Sequence, residues 1–300
     1  MTSVSLKAGL VAGLTLSLQI GSTHIASAQQ QGATDPRVQQ RTYQFADTNE
    51  QLPYALFVSS KVSKDKKNPL IVALHGLGGT QNTMVNPAYR AVELAEEGGY
   101  ILVAPMGYNS SGWYGVPEGA PRGGGRGAGN GANPAAAPRA GARGGRGAGG
   151  GGTAVTDTAK VRELSEKDVM NVLGMIRAEF NVDERRTYLM GHSMGGAGTI
   201  YLGVKHASTW AAIAPIAPAS GGLTPDNYSL APAKDLPVII VMGDADTAVP
   251  VARTRQWVEK VKEQKMTHEY HEIPGGTHGS VIATGMPDIF AFFARHTKGR

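Results

Sequence analysis

Residues 186–202 read R-T-Y-L-M-G-H-S-M-G-G-A-G-T-I-Y-L. The stretch opens as a short apolar strand and closes as a helix. One serine stands between glycines at the join. G-x-S-x-G between a strand and a helix is an elbow, a sharp turn that lifts a serine hydroxyl off the end of a sheet. Small residues at Gly191, Gly195 and Gly196 let the helix approach the sheet without side-chain clash. This reading puts Ser193 at the C-terminal edge of a sheet, where open α/β sheets place their ligands.

The sequence on either side alternates as such a sheet requires. Residues 43–45 and 52–58 have strand character and are expected to form an antiparallel hairpin. P-L-I-V-A-L at 69–74 is a continuous apolar run, suited to a strand covered on both faces. A helix is expected at 87–97, a buried strand at 100–104, and a helix at 160–180, where Val161, Leu164, Val169, Val172, Leu173 and Ile176 keep helical spacing. Strands then follow at 186–190, 211–216, 237–242 and 268–273. Helices follow at 194–206, 251–264 and 287–296. The expected fold class is α/β, a mostly parallel central sheet with helices on both faces and an antiparallel N-terminal hairpin.

Two segments stand apart from this pattern. Lys7, an uncharged run from residue 8 to about residue 20 and Ala26-Ser27-Ala28 have the order of a signal peptide, with cleavage expected after Ala28. The run is shorter than the ~20 residues that span a bilayer. Residues 1–28 are therefore expected to direct secretion, to the periplasm or the outside medium, with no stable membrane insertion. Residues 29–300 are expected to form a single domain. Within it, 117–152 is an expected disordered insertion, rich in Gly, Ala and Arg and without large apolar residues. It holds five arginines against Glu118, so with Lys7 it accounts for the chain's net charge of +5. The basic balance belongs to this segment and implies no nucleic-acid partner for the rest. The chain has no cysteine, which excludes disulfides, thiol catalysis and cysteine metal sites.

A serine hydroxyl needs a base, and the base needs an orienting acid. In the elbow fold the acid and the histidine follow the serine in that order. After the strand at 237–242 comes G-D-A-D-T-A-V-P, in which Asp244 and Asp246 both qualify. Asp246 sits deeper in the loop and is the expected acid, with Asp244 shaping the turn. After the strand at 268–273 comes P-G-G-T-H-G, and His278 in this loop is the expected base. His268 and His271 are three apart on a strand and face opposite ways, which argues against a metal pair. The two oxyanion donors are expected to be the backbone N–H groups of Met194 and of Leu77, the latter in H-G-L-G-G after the 69–74 strand. His75 in that loop is expected to fix its shape. Trp113 and Tyr114 in S-G-W-Y-G are candidate substrate-binding residues, as an aromatic wall.

Together L-H-G-L-G-G, A-P-M-G-Y with G-W-Y-G, G-H-S-M-G-G, G-D-A-D-T-A-V-P and G-G-T-H-G resemble the α/β-hydrolase superfamily over residues 42–297. More narrowly they resemble secreted serine esterases of the feruloyl esterase and polyhydroxybutyrate depolymerase-like group. The resemblance implies ester hydrolysis through Ser193, His278 and Asp246, with no cofactor and no metal. It implies a small-molecule or polymeric ester as partner, and activity that falls below about pH 6.5 as the base protonates. The Arg/Gly insertion departs from the family pattern. Two other readings stay open: a serine peptidase of the prolyl oligopeptidase-like type, and a non-catalytic polyanion-binding protein that uses the Arg/Gly segment.

Overall fold

In the computed structural model, residues 34–118 and 151–299 are described, together with Met1. The expected signal peptide and nearly all of the expected insertion lie outside the described residues. The unit Gly32–Arg300 is built on eight strands: β1 Gln39–Phe45, β2 Glu50–Val58, β3 Asn68–Leu74, β4 Ile101–Pro105, β5 Val182–His192, β6 Ala212–Ile216, β7 Val238–Gly243 and β8 His268–Ile273. They form one sheet in the order β1-β2-β4-β3-β5-β6-β7-β8. β1, β2 and β4 pair antiparallel. From β4 to β8 every pairing is parallel.

Among the described residues five α-helices cover the sheet: α1 Ala91–Gly98, α2 Thr158–Glu179, α3 Met194–Lys205, α4 Val251–Glu263 and α5 Ser280–Arg295. The two-residue period of β3 divides them. Leu70, Val72 and Leu74 lie in the core shared with α2, α3 and α4. Ile71 and Ala73 lie in the core shared with α1 and α5. Both faces of β3 are dry, which is why its sequence is apolar without alternation.

The structure departs from the sequence reading in four helical and strand segments, the first being β1, which starts at Gln39 and not at residue 43. The helix expected at 87–97 is broken: Pro87–Tyr89 is a 3₁₀ turn, and Arg90 in the left-handed region (φ 60°) separates it from α1. β5 starts four residues early, at Val182, because its polar beginning still pairs beside Asn68. The last helix starts at Ser280 rather than at Pro287, which lies inside it. Proline inside a helix removes one N–H bond at a cost of about 3 kcal/mol. The buried stripe of Val281, Ile282, Met286, Ile289, Phe290 and Phe293 runs across that position, and each such side chain buried gains about 1.5–3 kcal/mol. Burial of the stripe outweighs the proline. Gly285 lets α5 close on the sheet, since a Cβ there would lie 2.6 Å from Val241 Cγ1.

Candidate active site

Three loops meet at the C-terminal ends of the parallel strands. The first is the β5–α3 elbow. Ser193 has φ 56° and ψ −112°, a strained backbone for a residue with a side chain. Its N–H donates to the Ile216 carbonyl at 2.9 Å, and its own carbonyl accepts from Ala219 N and Ala197 N, both at 3.0 Å. These bonds hold the turn. Gly195 is required by space, because a Cβ there would sit 2.3 Å from the Leu74 carbonyl oxygen.

The second loop follows β7 and carries Asp246, whose side chain is fully shielded from solvent. Its Oδ1 accepts from Ala248 N and Val249 N, each at 2.8 Å. Its Oδ2 lies 2.7 Å from Nδ1 of His278. The third loop joins β8 to α5 and carries His278, whose Nε2 lies 2.9 Å from Ser193 Oγ. The carboxylate can only accept, so Nδ1 carries the imidazole proton and Nε2 is left to accept from the serine hydroxyl. His278 remains 27% exposed, so its edge meets solvent. The structure thus brings Ser193, His278 and Asp246 into one hydrogen-bonded line. Asp244 is not in that line: its Oδ1 accepts from Gly275 N at 2.7 Å and ties the second loop to the third.

The β3–α1 loop runs alongside. A Cβ on Gly76 would lie 3.3 Å from Ser193 Cβ, so Leu77 follows directly beside the serine. Gly78 N donates to Ser110 O and Gly79 N to Gly76 O. Leu77 N has no acceptor among the described residues, and neither does Met194 N at the first position of α3, where helix geometry supplies none.

This arrangement has counterparts among known proteins. Residues 166–282 match the Esterase family. No curated protein matches the chain. Among solved structures, an S-formylglutathione hydrolase from Agrobacterium tumefaciens superposes with a TM-score of 0.63 at 14% identity, over 87% of this chain and 95% of that one. A CE1 ferulic acid esterase from Anaeromyces mucronatus, in complex with ferulic acid, gives 0.61 at 17% identity, over 89% and 93%. A thermostable esterase gives 0.58 at 22% identity over 87% of this chain, which spans 64% of that protein's length. The chain has the α/β-hydrolase fold.

Around the three loops lies a supporting layer. His75 is buried, with Nε2 2.8 Å from Met106 O and Nδ1 2.8 Å from Gly76 O. Burial lowers its pKa, against the pull of the two carbonyls. The segment after β4 is held in turn by α2. Ser165 Oγ accepts from Tyr114 N at 3.0 Å. Asp168 accepts from Tyr43 Oη at 2.6 Å and from Tyr108 N at 3.0 Å. Burial pushes Asp168 up to about 6, against the pull of those donors.

Tyr114 is corrected by this geometry. It is fully buried, and its hydroxyl donates to the His75 carbonyl at 3.1 Å, so it braces the Leu77 loop from behind and forms no wall of the cleft. Met194 likewise buries its side chain, while Leu77 exposes 57% of its surface. Trp113 is half-buried under the Arg162 guanidinium, 5.4 Å from the ring centroid. Its edge meets Gly221, two residues beyond the Ala219 that binds the Ser193 carbonyl. Sequence reasoning missed Asp168, although a signal was present: an acid midway between Leu164 and Val172 on the apolar stripe of α2. It also passed over His192, which the motif treats as a variable position. Among the described residues no helix is long and apolar enough to cross a membrane.

Proposed function

We propose that the chain is a serine carboxylic ester hydrolase that works through an acyl-enzyme on Ser193. The observation that carries this reading is the line Ser193 Oγ–His278–Asp246, at 2.9 and 2.7 Å, lying beside two N–H groups that have no acceptor among the described residues. The Esterase match and the fold support it.

The chemistry follows from the geometry. Ser193 Oγ attacks the ester carbonyl as His278 Nε2 takes its proton. The carbonyl oxygen becomes an oxyanion facing the N–H groups of Leu77 and Met194. Asp246 holds the imidazole in the required tautomer and stabilises the imidazolium. His278 then gives its proton to the departing alcohol. A water activated by the same nitrogen attacks the acyl-enzyme and releases the acid.

For substrates we favour feruloyl- or acetyl-type esters or polyesters. An aromatic acyl group has Trp113 available at the edge of the elbow, and the ferulic acid esterase among the structural neighbours supports that choice. The N-terminal pattern of Lys7, an apolar run and Ala26-Ser27-Ala28 supports export, which N-terminal sequencing of the mature protein tests. The functional test is hydrolysis of p-nitrophenyl esters of increasing acyl length by the wild type and by Ser193→Ala. Turnover by the wild type alone supports the proposal, and equal turnover by both proteins refutes it.

A further inference from the structure

His192 occupies the position before the nucleophile, and its surroundings are specific. The residue is 8% exposed. Its Nε2 lies 2.8 Å from the main-chain carbonyl of His278. The two imidazole rings lie 4.6 Å apart at an angle of 51°. A carbonyl oxygen only accepts, so Nε2 of His192 carries the proton and Nδ1 does not. A Cβ on Gly76 would lie 3.2 Å from that Nδ1, so the Leu77 loop packs on the other edge of the ring. Burial, reinforced by the neighbouring His278, lowers the His192 pKa to about 4. The ring stays neutral while His278 gains and loses its proton.

The loop that carries His278 has other ties, and they lie before the histidine. Asp244 N donates to Ile273 O, Gly275 N to Asp244 Oδ1, and Ala245 N to Gly276 O. The bonds around and after the histidine are local: Val281 N to Thr277 O, Ile282 N to Gly279 O, and a set between Thr277 and Ser280 that includes Thr277 N to Ser280 Oγ and Ser280 N to Thr277 Oγ1. The contact from His192 reaches the main chain of His278 itself. It starts one residue from Ser193. It also differs in kind from the Ser193–His278 bond, which must break as the proton moves.

We infer that His192 is a positioning residue: by donating Nε2–H to the His278 carbonyl, it fixes the base relative to the nucleophile throughout turnover. The inference rests on the reading of Ser193 and His278 as nucleophile and base. Misplacing a reacting group by an ångström can cost about 10²-fold in rate, so the tie acts on kcat and leaves substrate binding alone.

The test compares wild type, His192→Phe and His192→Gln. Phenylalanine keeps a ring and loses the donor; glutamine places an amide N–H close to where Nε2 stood. With p-nitrophenyl acetate, His192→Phe should lose about 10- to 100-fold in kcat with KM unchanged, and His192→Gln should recover most of it. Unchanged kcat in His192→Phe, or a glutamine variant as impaired as the phenylalanine one, overturns the inference. A second arm needs no variant. ¹⁵N spectra of the histidine rings in the wild type should show His192 as the Nε2–H tautomer, and the Nδ1–H tautomer overturns the inference. A wild type that turns over no ester counts against the hydrolase reading alone, and the tautomer still decides the role of His192.

Discussion

Asp244 and Asp246 stand two residues apart on one loop and hold two different parts of the next. Asp246 reaches the imidazole of His278, whereas Asp244 reaches the backbone of Gly275, three residues before it. Asp246→Asn should therefore lower kcat by about 10⁴, because the amide favours the wrong imidazole tautomer. Asp244→Asn keeps an acceptor for Gly275 N and should lose far less. Parallel kinetics of the two variants check this, and equal losses would contradict the division.

The Leu77 amide is assigned to the oxyanion. Leu77→Pro removes that N–H, and Gly76 before it relaxes the restriction proline places on its predecessor. A loss of about 10²–10³ in kcat is expected, the usual cost of one such donor. Melting curves alongside the kinetics separate this from a collapsed loop.

Acid should destabilise the fold through His192. Its pKa is lowered to about 4 in the folded chain, against about 6.5 unfolded. A depressed folded pKa confers stability that is present above pH 6.5 and lost as pH falls through 4. The linkage amounts to about 3 kcal/mol. Urea unfolding at pH 7 and pH 4 should show the wild type losing more stability than His192→Gln by about that amount.

Asp168 works with the opposite sign. Burial raises it from 3.8 to about 6, so its contribution is full below pH 3.8 and is lost as pH rises through 6. Asp168→Asn keeps one acceptor oxygen and loses the other, so one of the Tyr43 and Tyr108 donors goes unpaired at every pH, yet the variant escapes the cost of a buried charge. The advantage of the wild type over the variant should be larger at pH 4 than at pH 8, as read from unfolding at both.

Much of the fold was legible because local pattern and tertiary demand agree. The continuous run of β3 and the helical spacing of α2 say what they become. The α5 boundary was not legible, since Pro287 is a strong local stop signal that long-range burial overrides. At the site, Ser193, Asp246 and His278 were legible as loop residues after strands, and the structure brings them together. Tyr114 was misread because an aromatic next to glycines looks the same whether it lines a cleft or braces a loop. His192 was passed over because its partner is a carbonyl 86 residues away, a distance that no local pattern encodes.

The central claim is a covalent acyl group on Ser193. Mixing the protein with excess p-nitrophenyl acetate, quenching rapidly in acid and mapping the peptides by mass tests it directly. The account predicts one added acetyl group on the peptide containing Ser193, absent in Ser193→Ala. Ester turnover with the acetyl group on another residue, or undiminished in Ser193→Ala, would contradict it.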